Sequence, residues 1–206
     1  SGRDTLALLP TGGGKSICFQ VPSMMVDGIC LVVSPLIALI KDQVSSLQEK
    51  GIKAMALTSG MTLSEVDIAL DNCIYGSFKF LYLSPERLQN KMVQERLKKM
   101  HINLIAVDEA HCISEWGHDF RPEYRNLRQV VDKIGDNISI IALTATATPK
   151  VQDDILKNLN MVNPEIFKAS FNRPNLFYEV RQKTSKVEYD IVSFIKSKET
   201  KTGIVY

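Results

Sequence analysis

The chain up to residue 143 is punctuated by short apolar runs: TLALL (5–9), ICLVV (29–33), AMAL (54–57), FKFLYL (78–83), INLIAV (102–107) and ISIIAL (138–143). Each is too short for a buried helix and continuous enough to be apolar on both faces, which reads as a strand inside a parallel sheet. Between them apolar residues return every three or four positions, as at Leu36, Leu39/Ile40, Val44 and Leu47, and again at Tyr124, Leu127, Val130/Val131 and Ile134. Those stretches read as amphipathic helices. Thr62 with Glu65 has capping-box spacing, and Thr148 before Pro149 places a cap ahead of a proline at a first helical position. Alternation of strand and helix requires right-handed crossovers and helices on both faces of a parallel sheet, so the fold class is α/β.

Composition narrows the function classes. No apolar run approaches the ~20 residues of a membrane span and no signal peptide opens the chain, so an intracellular protein without a membrane partner is expected. Cys18, Cys30, Cys73 and Cys112 are widely spaced and form no C-x-x-C pair, which argues against a zinc site or a disulfide framework. His101, His111 and His118 lack the spacing of a helix-borne metal pair. The net charge of +2 does not by itself indicate nucleic acid, although the sequence from residue 168 onward is richer in Lys and Arg than in Asp and Glu.

Two stretches carry chemistry. In TLALLPTGGGKSICFQ a strand, a tight turn and a helix start follow in the order a phosphate cradle requires. Thr11, Gly12, Gly13 and Gly14 would close backbone N–H groups around phosphates, Lys15 would reach the β- and γ-phosphates, and Ser16 would ligate Mg2+. The usual pattern G-x-x-x-x-G-K-[ST] has glycine where this chain has Leu9. In INLIAVDEAHC an apolar strand ends on Asp108 and Glu109, and the carboxyl ends of parallel strands line the ligand crevice. Asp108 can face a magnesium ion held by Ser16, and Glu109 can orient and deprotonate a water. Together the stretches predict a site that hydrolyses ATP or GTP.

PTGGGKS, SPLIALIKDQV, LSPERL, DEAHCISEWGHDFRPEYRNL, ALTATAT and FNRPN occur in the order and spacing of the first motor lobe of RecQ-type DNA helicases of superfamily 2, a resemblance that covers nearly the whole chain. Its most specific part is Asp108 to Tyr124, where the DEAH sequence runs into an aromatic-rich loop. Within that loop Glu115 stands where many RecQ proteins have glutamine. The resemblance implies a RecA-like domain that uses ATP and Mg2+, with Lys15 and Ser16 on the phosphates and metal, Asp108 on the metal, and Glu109 as catalytic base. His111, Thr144 and Thr146 are implied couplers between the γ-phosphate and the nucleic-acid groove.

Trp116, Phe120 and Arg121 sit in a polar, turn-like segment, where flat rings can stack on unpaired bases beside a phosphate-binding cation. The competing reading is a local hydrophobic staple for the following helix. Ser34, Pro35 and Lys41, and Ser84 and Arg87, are Ser-Pro turns at strand ends with a helix and a cation close by. They read as ordinary turns from the residues, and as strand-tracking motifs from the resemblance. Arg173 in FNRPN is assigned to the same groove or to contact with a second lobe.

The expected organisation is a first lobe over 1–183, followed by a linker helix near 186–198 and a strand in TGIVY that begin a second RecA-like lobe over 184–206. The abrupt start and end are those expected of a piece of a longer protein. Such a piece would bind Mg-nucleotide weakly and would not unwind DNA alone. The resemblance implies single-stranded and forked DNA and the second lobe as partners, and a cytoplasmic location in a bacterium or a nuclear one in a eukaryote. A double-strand translocase or RNA helicase, and a nucleotide-gated binding module that no longer hydrolyses, are the alternatives. The intact set Lys15, Ser16, Asp108 and Glu109 speaks against the last.

Overall fold

The computed structural model of the chain describes residues 2–135, 138–170, 172, 175–198 and 200–205. The anticipated strands are all present: β1 (Thr5–Leu8), β2 (Ile29–Val33), β3 (Ala54–Leu57), β4 (Phe80–Leu83), β5 (Ile102–Val107) and β6 (Ile140–Thr144). A further strand, β7 (Glu165–Lys168), pairs with β1. Together they form one sheet in the order β3, β4, β2, β5, β6, β1, β7, with every pairing parallel.

Period-two alternation divides the core. Leu6, Leu8, Leu31, Val33, Leu81, Leu83, Ile105 and Val107 point to one face, where they meet α3 (Leu63–Tyr75), α4 (Pro85–Leu88), α5 (Lys91–Leu97), α6 (Leu127–Ile134) and α7 (Pro149–Asn158). Ala7, Cys30, Val32, Phe80, Tyr82, Ala106 and Leu143 point to the other, against α1 (Lys15–Met24) and α2 (Ile37–Glu49). With both faces covered the strands can be apolar throughout, and each fully buried Leu, Ile or Val contributes ~1.5–3 kcal/mol.

Local signals set the helix starts. Thr62 caps α3 in a reciprocal capping box with Glu65, and Thr148 Oγ1 accepts from the Val151 amide with Pro149 at the first helical position of α7. Ser84 and Asn90 cap α4 and α5 in the same way.

Residues 1–171 form one compact unit and residues 172–206 another. The second contains α8 (Val187–Lys196), close to the helix anticipated there, with the Arg181 guanidinium 5.2 Å from the Phe194 ring centroid. Of the strand anticipated in TGIVY, residues 202–205 join no ladder among the described residues, and Tyr206 lies outside the described residues. Among the described residues no helix is long and apolar enough to cross a membrane.

Candidate nucleotide site and nucleic-acid face

The sheet order places the turns after β1, β6 and β5 side by side at its carboxyl edge, and those after β5, β2 and β4 continue the row. The ladder runs one residue past the strands: the Leu9 amide donates to the Thr144 carbonyl (3.1 Å), Asp108 to Val33 (2.9 Å) and Ser34 to Leu83 (3.1 Å). Leu9 thus still belongs to the ladder, so this chain's turn needs no glycine there.

The turn itself depends on its glycines. Gly12 and Gly14 have φ of 77° and 79°, and a Cβ on Gly13 would lie 2.8 Å from the Pro10 carbonyl oxygen. Gly14 also occupies the N-cap of α1 with no side-chain cap, which leaves the helix's first amides facing the turn. Thr11 is exposed, and Lys15 and Ser16 are half-buried at the helix start. Lys15 lies close enough to the carboxyls of Asp108 and Glu109 to favour their ionised forms.

Asp108 is 5% exposed, and burial, reinforced by the neighbouring Glu109 charge, raises its pKa. Its carboxylate accepts from the Glu109 amide (3.0 Å), and its carbonyl accepts from the Tyr124 hydroxyl (3.2 Å). Ser34 Oγ is buried beside this carboxylate without a hydrogen bond of good geometry among the described residues. Glu109 is held in left-handed backbone geometry (φ 48°, ψ 46°), an uncommon state for a non-glycine residue that concentrates at functional sites. Its Oε2 lies 3.3 Å from His111 Nδ1, and this hydrogen bond is the main reason its pKa is lowered.

His111 Nδ1 is also 3.0 Å from Thr144 Oγ1, which in turn accepts from the Thr146 amide (3.2 Å). Glu109 Oε2 and Thr144 Oγ1 therefore share the single proton of His111 Nδ1, and with the Thr146 amide on Thr144 Oγ1 the four residues, drawn from two strand ends, are joined in one chain of polar contacts. His118 stacks on His111, ring centroids 4.3 Å apart at 16°.

The aromatic loop leaves Trp116 63% exposed, with Lys150 Nζ 3.0 Å from its ring centroid. The staple reading fails for Trp116, whose ring does not pack into the core. Phe120 is half-buried with the Arg125 guanidinium 4.9 Å from its centroid, and Arg125 also pairs with Glu115. Ser114 Oγ donates to Asp154 Oδ2 (2.7 Å) and accepts from the Trp116 amide (3.2 Å), tying the loop to α7. Gly117 crosses so near the His111 carbonyl that a Cβ would stand 2.5 Å from it.

A cleft of about 530 Å³ brings Pro35, Ser84, Arg87 and Arg121 together. Arg121 Nη1 donates to the Pro35 carbonyl (3.3 Å) while its buried Nε has no partner among the described residues. Arg87 Nη2 is engaged by the carbonyls of Thr58 (2.7 Å) and Met61 (3.1 Å), and Ser84 Oγ by the Arg87 amide. Lys41 is exposed on α2, away from the cleft's lining. Arg173 lies outside the described residues.

Sequence reasoning missed His118, Ser114, Asp154, Tyr124 and Lys150. The aromatic loop's sequence holds His118, Ser114 and Tyr124 in plain sight, but their partners lie across the fold.

Magnesium and a nucleoside triphosphate fit these residues. The Ser16 hydroxyl, the Asp108 carboxylate and the orphaned Ser34 hydroxyl are hard oxygen donors, and the glycine turn is shaped for phosphate. Among the described residues no cluster of three or more His, Cys, Asp or Glu could hold a metal ion.

Comparison with known proteins agrees with this geometry. The chain is 42% identical over 99% of its length to the ATP-dependent DNA helicase RecQ of Bacillus subtilis, and 46% identical over its whole length to that organism's probable ATP-dependent DNA helicase RecS. It spans 34% and 41% of those relatives' lengths. The yeast DEAD-box splicing factor Prp28 superposes over 95% of this chain and 49% of its own, with a TM-score of 0.64 at 21% identity, a likeness of fold alone. Residues 1–155 match the DEAD/DEAH box helicase family, and the chain belongs to that family.

Proposed function

We propose that this chain is the ATP-binding motor lobe of a RecQ-type 3′-to-5′ DNA helicase, coupling ATP hydrolysis to movement along single-stranded DNA and to duplex opening in recombination and repair. The observation that carries it is the chain of polar contacts from Glu109 through His111 and Thr144 to Thr146, which connects the phosphate turn's neighbour carboxylates to the helix that grips the aromatic loop.

In this reading Gly12 to Gly14 and the first amides of α1 cradle the phosphates, Lys15 pairs with the β- and γ-phosphates, and Ser16 and Asp108 hold magnesium. Bound there, Mg2+ neutralises phosphate charge that develops during transfer. Glu109 Oε2 is oriented by His111, so Oε1 is the atom placed to accept the proton of an attacking water. The contact with His111 lowers its pKa and holds the carboxylate in place. Trp116 and Phe120 offer ring faces to unpaired bases, and Arg121 with Pro35, Ser84 and Arg87 lines the strand's path, while Ser34 is buried on the Asp108 side of its turn and Lys41 stands outside that cleft on α2. Arg173 is assigned to the same groove. The lobe is taken to extend over 1–183, with 184–206 opening a second RecA-like lobe that closes over the nucleotide and supplies arginines for the transition state. The parent protein is read as intracellular, acting on single-stranded and forked DNA.

The test is Mg-dependent binding of a fluorescent ATP analogue to the chain. Loss of binding in Lys15→Ala, and loss of the magnesium dependence in Asp108→Asn, is expected. Equal binding by the parent chain and Lys15→Ala contradicts the assignment.

A further inference from the structure

Trp116 is the only tryptophan in the sequence, and it projects from a polar loop with most of its surface open to solvent. What the fold sets against it is a cation. The Lys150 ammonium lies 3.0 Å from the ring centroid, in the volume a stacked base would occupy. No described carboxylate lies within ion-pair distance of Lys150, and it stands in the first turn of α7, where the helix dipole disfavours positive charge. The indole face is thus its principal partner, through an exposed cation–π contact of the weak kind.

The position of Lys150 links it to the rest of the site. It follows the α7 cap Thr148 by two residues and Thr146 by four. The same helix holds Ser114 through Asp154, and Ser114 in turn holds the Trp116 amide. The ring face and the helix that continues the Thr144–Thr146 turn are thus joined by direct contacts.

We propose that Lys150 is a strand-binding residue: it shields Trp116 in the free chain, yields that ring face to an unpaired DNA base, and pairs with the adjoining backbone phosphate. The inference rests on the strand-binding reading of the Trp116 loop. Stacking on an aromatic face is stronger than an exposed ammonium–indole contact, so the exchange favours the base. The displaced ammonium gains a phosphate in place of water, so Lys150 adds affinity without adding sequence preference.

The sole tryptophan makes the test site-specific. Intrinsic fluorescence of the chain is titrated with a single-stranded DNA oligonucleotide at several salt concentrations, and acrylamide quenching is measured without DNA, for the parent, Lys150→Ala and Lys150→Arg. Removal of the ammonium is expected to increase quenching of the free chain by acrylamide. It is also expected to make the dependence of log affinity on log salt shallower by about 0.7, the value for one phosphate contact on a single strand. Lys150→Arg is expected to restore the parent slope. If DNA alters Trp116 emission in the parent but Lys150→Ala has the same salt slope, the proposal for Lys150 is overturned and strand binding by the loop stands. If DNA leaves the emission of the parent unchanged, the strand-binding reading itself falls, and Lys150 with it.

Discussion

Asp108 sits at the end of a strand buried on both faces, and its raised pKa states the energetic consequence. The unfolded chain ionises this carboxyl more readily than the folded one. Its contribution to stability is therefore full below the ordinary value of 3.8 and is lost as pH rises through the raised folded value. At neutral pH the charged Asp108 destabilises the nucleotide-free chain, so Asp108→Asn is expected to raise its Tm by a few degrees at pH 7 and to give no gain at pH values below 3.8. Thermal melts across pH check this, and a lower Tm at pH 7 contradicts it. Glu109 titrates in the opposite sense: its hydrogen bond from His111 adds stability above the ordinary value of 4.5 that is lost as pH falls through the lowered one. Gly13 is constrained by space. Its missing Cβ would press on the Pro10 carbonyl, so Gly13→Ala is expected to cost ~1 kcal/mol in denaturant unfolding and to weaken ATP-analogue binding. Parent-like binding by Gly13→Ala would show that the turn is not a cradle.

At the scale of elements, the strands legible in the sequence were those whose apolar runs fill both faces of the sheet. β2, β4 and β6 have every residue buried, and Leu31→Ala in β2 is expected to lower unfolding free energy by about 2–5 kcal/mol. Ile68, exposed on α3, is expected to tolerate alanine within about 0.5 kcal/mol in the same denaturation experiment. β7 escaped notice because only Ile166 and Phe167 break its polar ends, and as an edge strand it is largely solvent-exposed. Its evidence is the ladder with β1, which no local pattern announces. Residues 202–205 are the converse, with strand composition and no ladder among the described residues. The caps were legible because Thr62 with Glu65 and Thr148 with Pro149 act within one turn. Thr62→Ala is expected to cost ~1 kcal/mol, and a change much smaller than that would mean that the capping box adds little here.

In the whole molecule, the phosphate turn and the Asp108–Glu109 pair were readable because each lies within a few consecutive residues. What joins them was not. His111 meets Thr144, Ser114 meets Asp154 and Arg121 meets Pro35 only because β5 lies beside β6 and β2 and because α7 packs under the aromatic loop. Arg87 shows the limit from the other side: the sequence gives a cation beside a Ser-Pro turn, whereas the fold engages its guanidinium with two carbonyls. The central claim is that the chain Glu109–His111–Thr144–Thr146 transmits between nucleotide and DNA strand. The most direct measurement is ATP hydrolysis by a protein extended through the proposed second lobe, with and without a single-stranded DNA oligonucleotide, for the parent, Glu109→Gln and Thr144→Val. The account predicts strong DNA stimulation in the parent and loss of hydrolysis in Glu109→Gln. Thr144→Val, which removes the hydroxyl that meets His111, should still bind ATP yet lose most of the stimulation. Hydrolysis in the parent that is indifferent to DNA, or full stimulation in Thr144→Val, would contradict it.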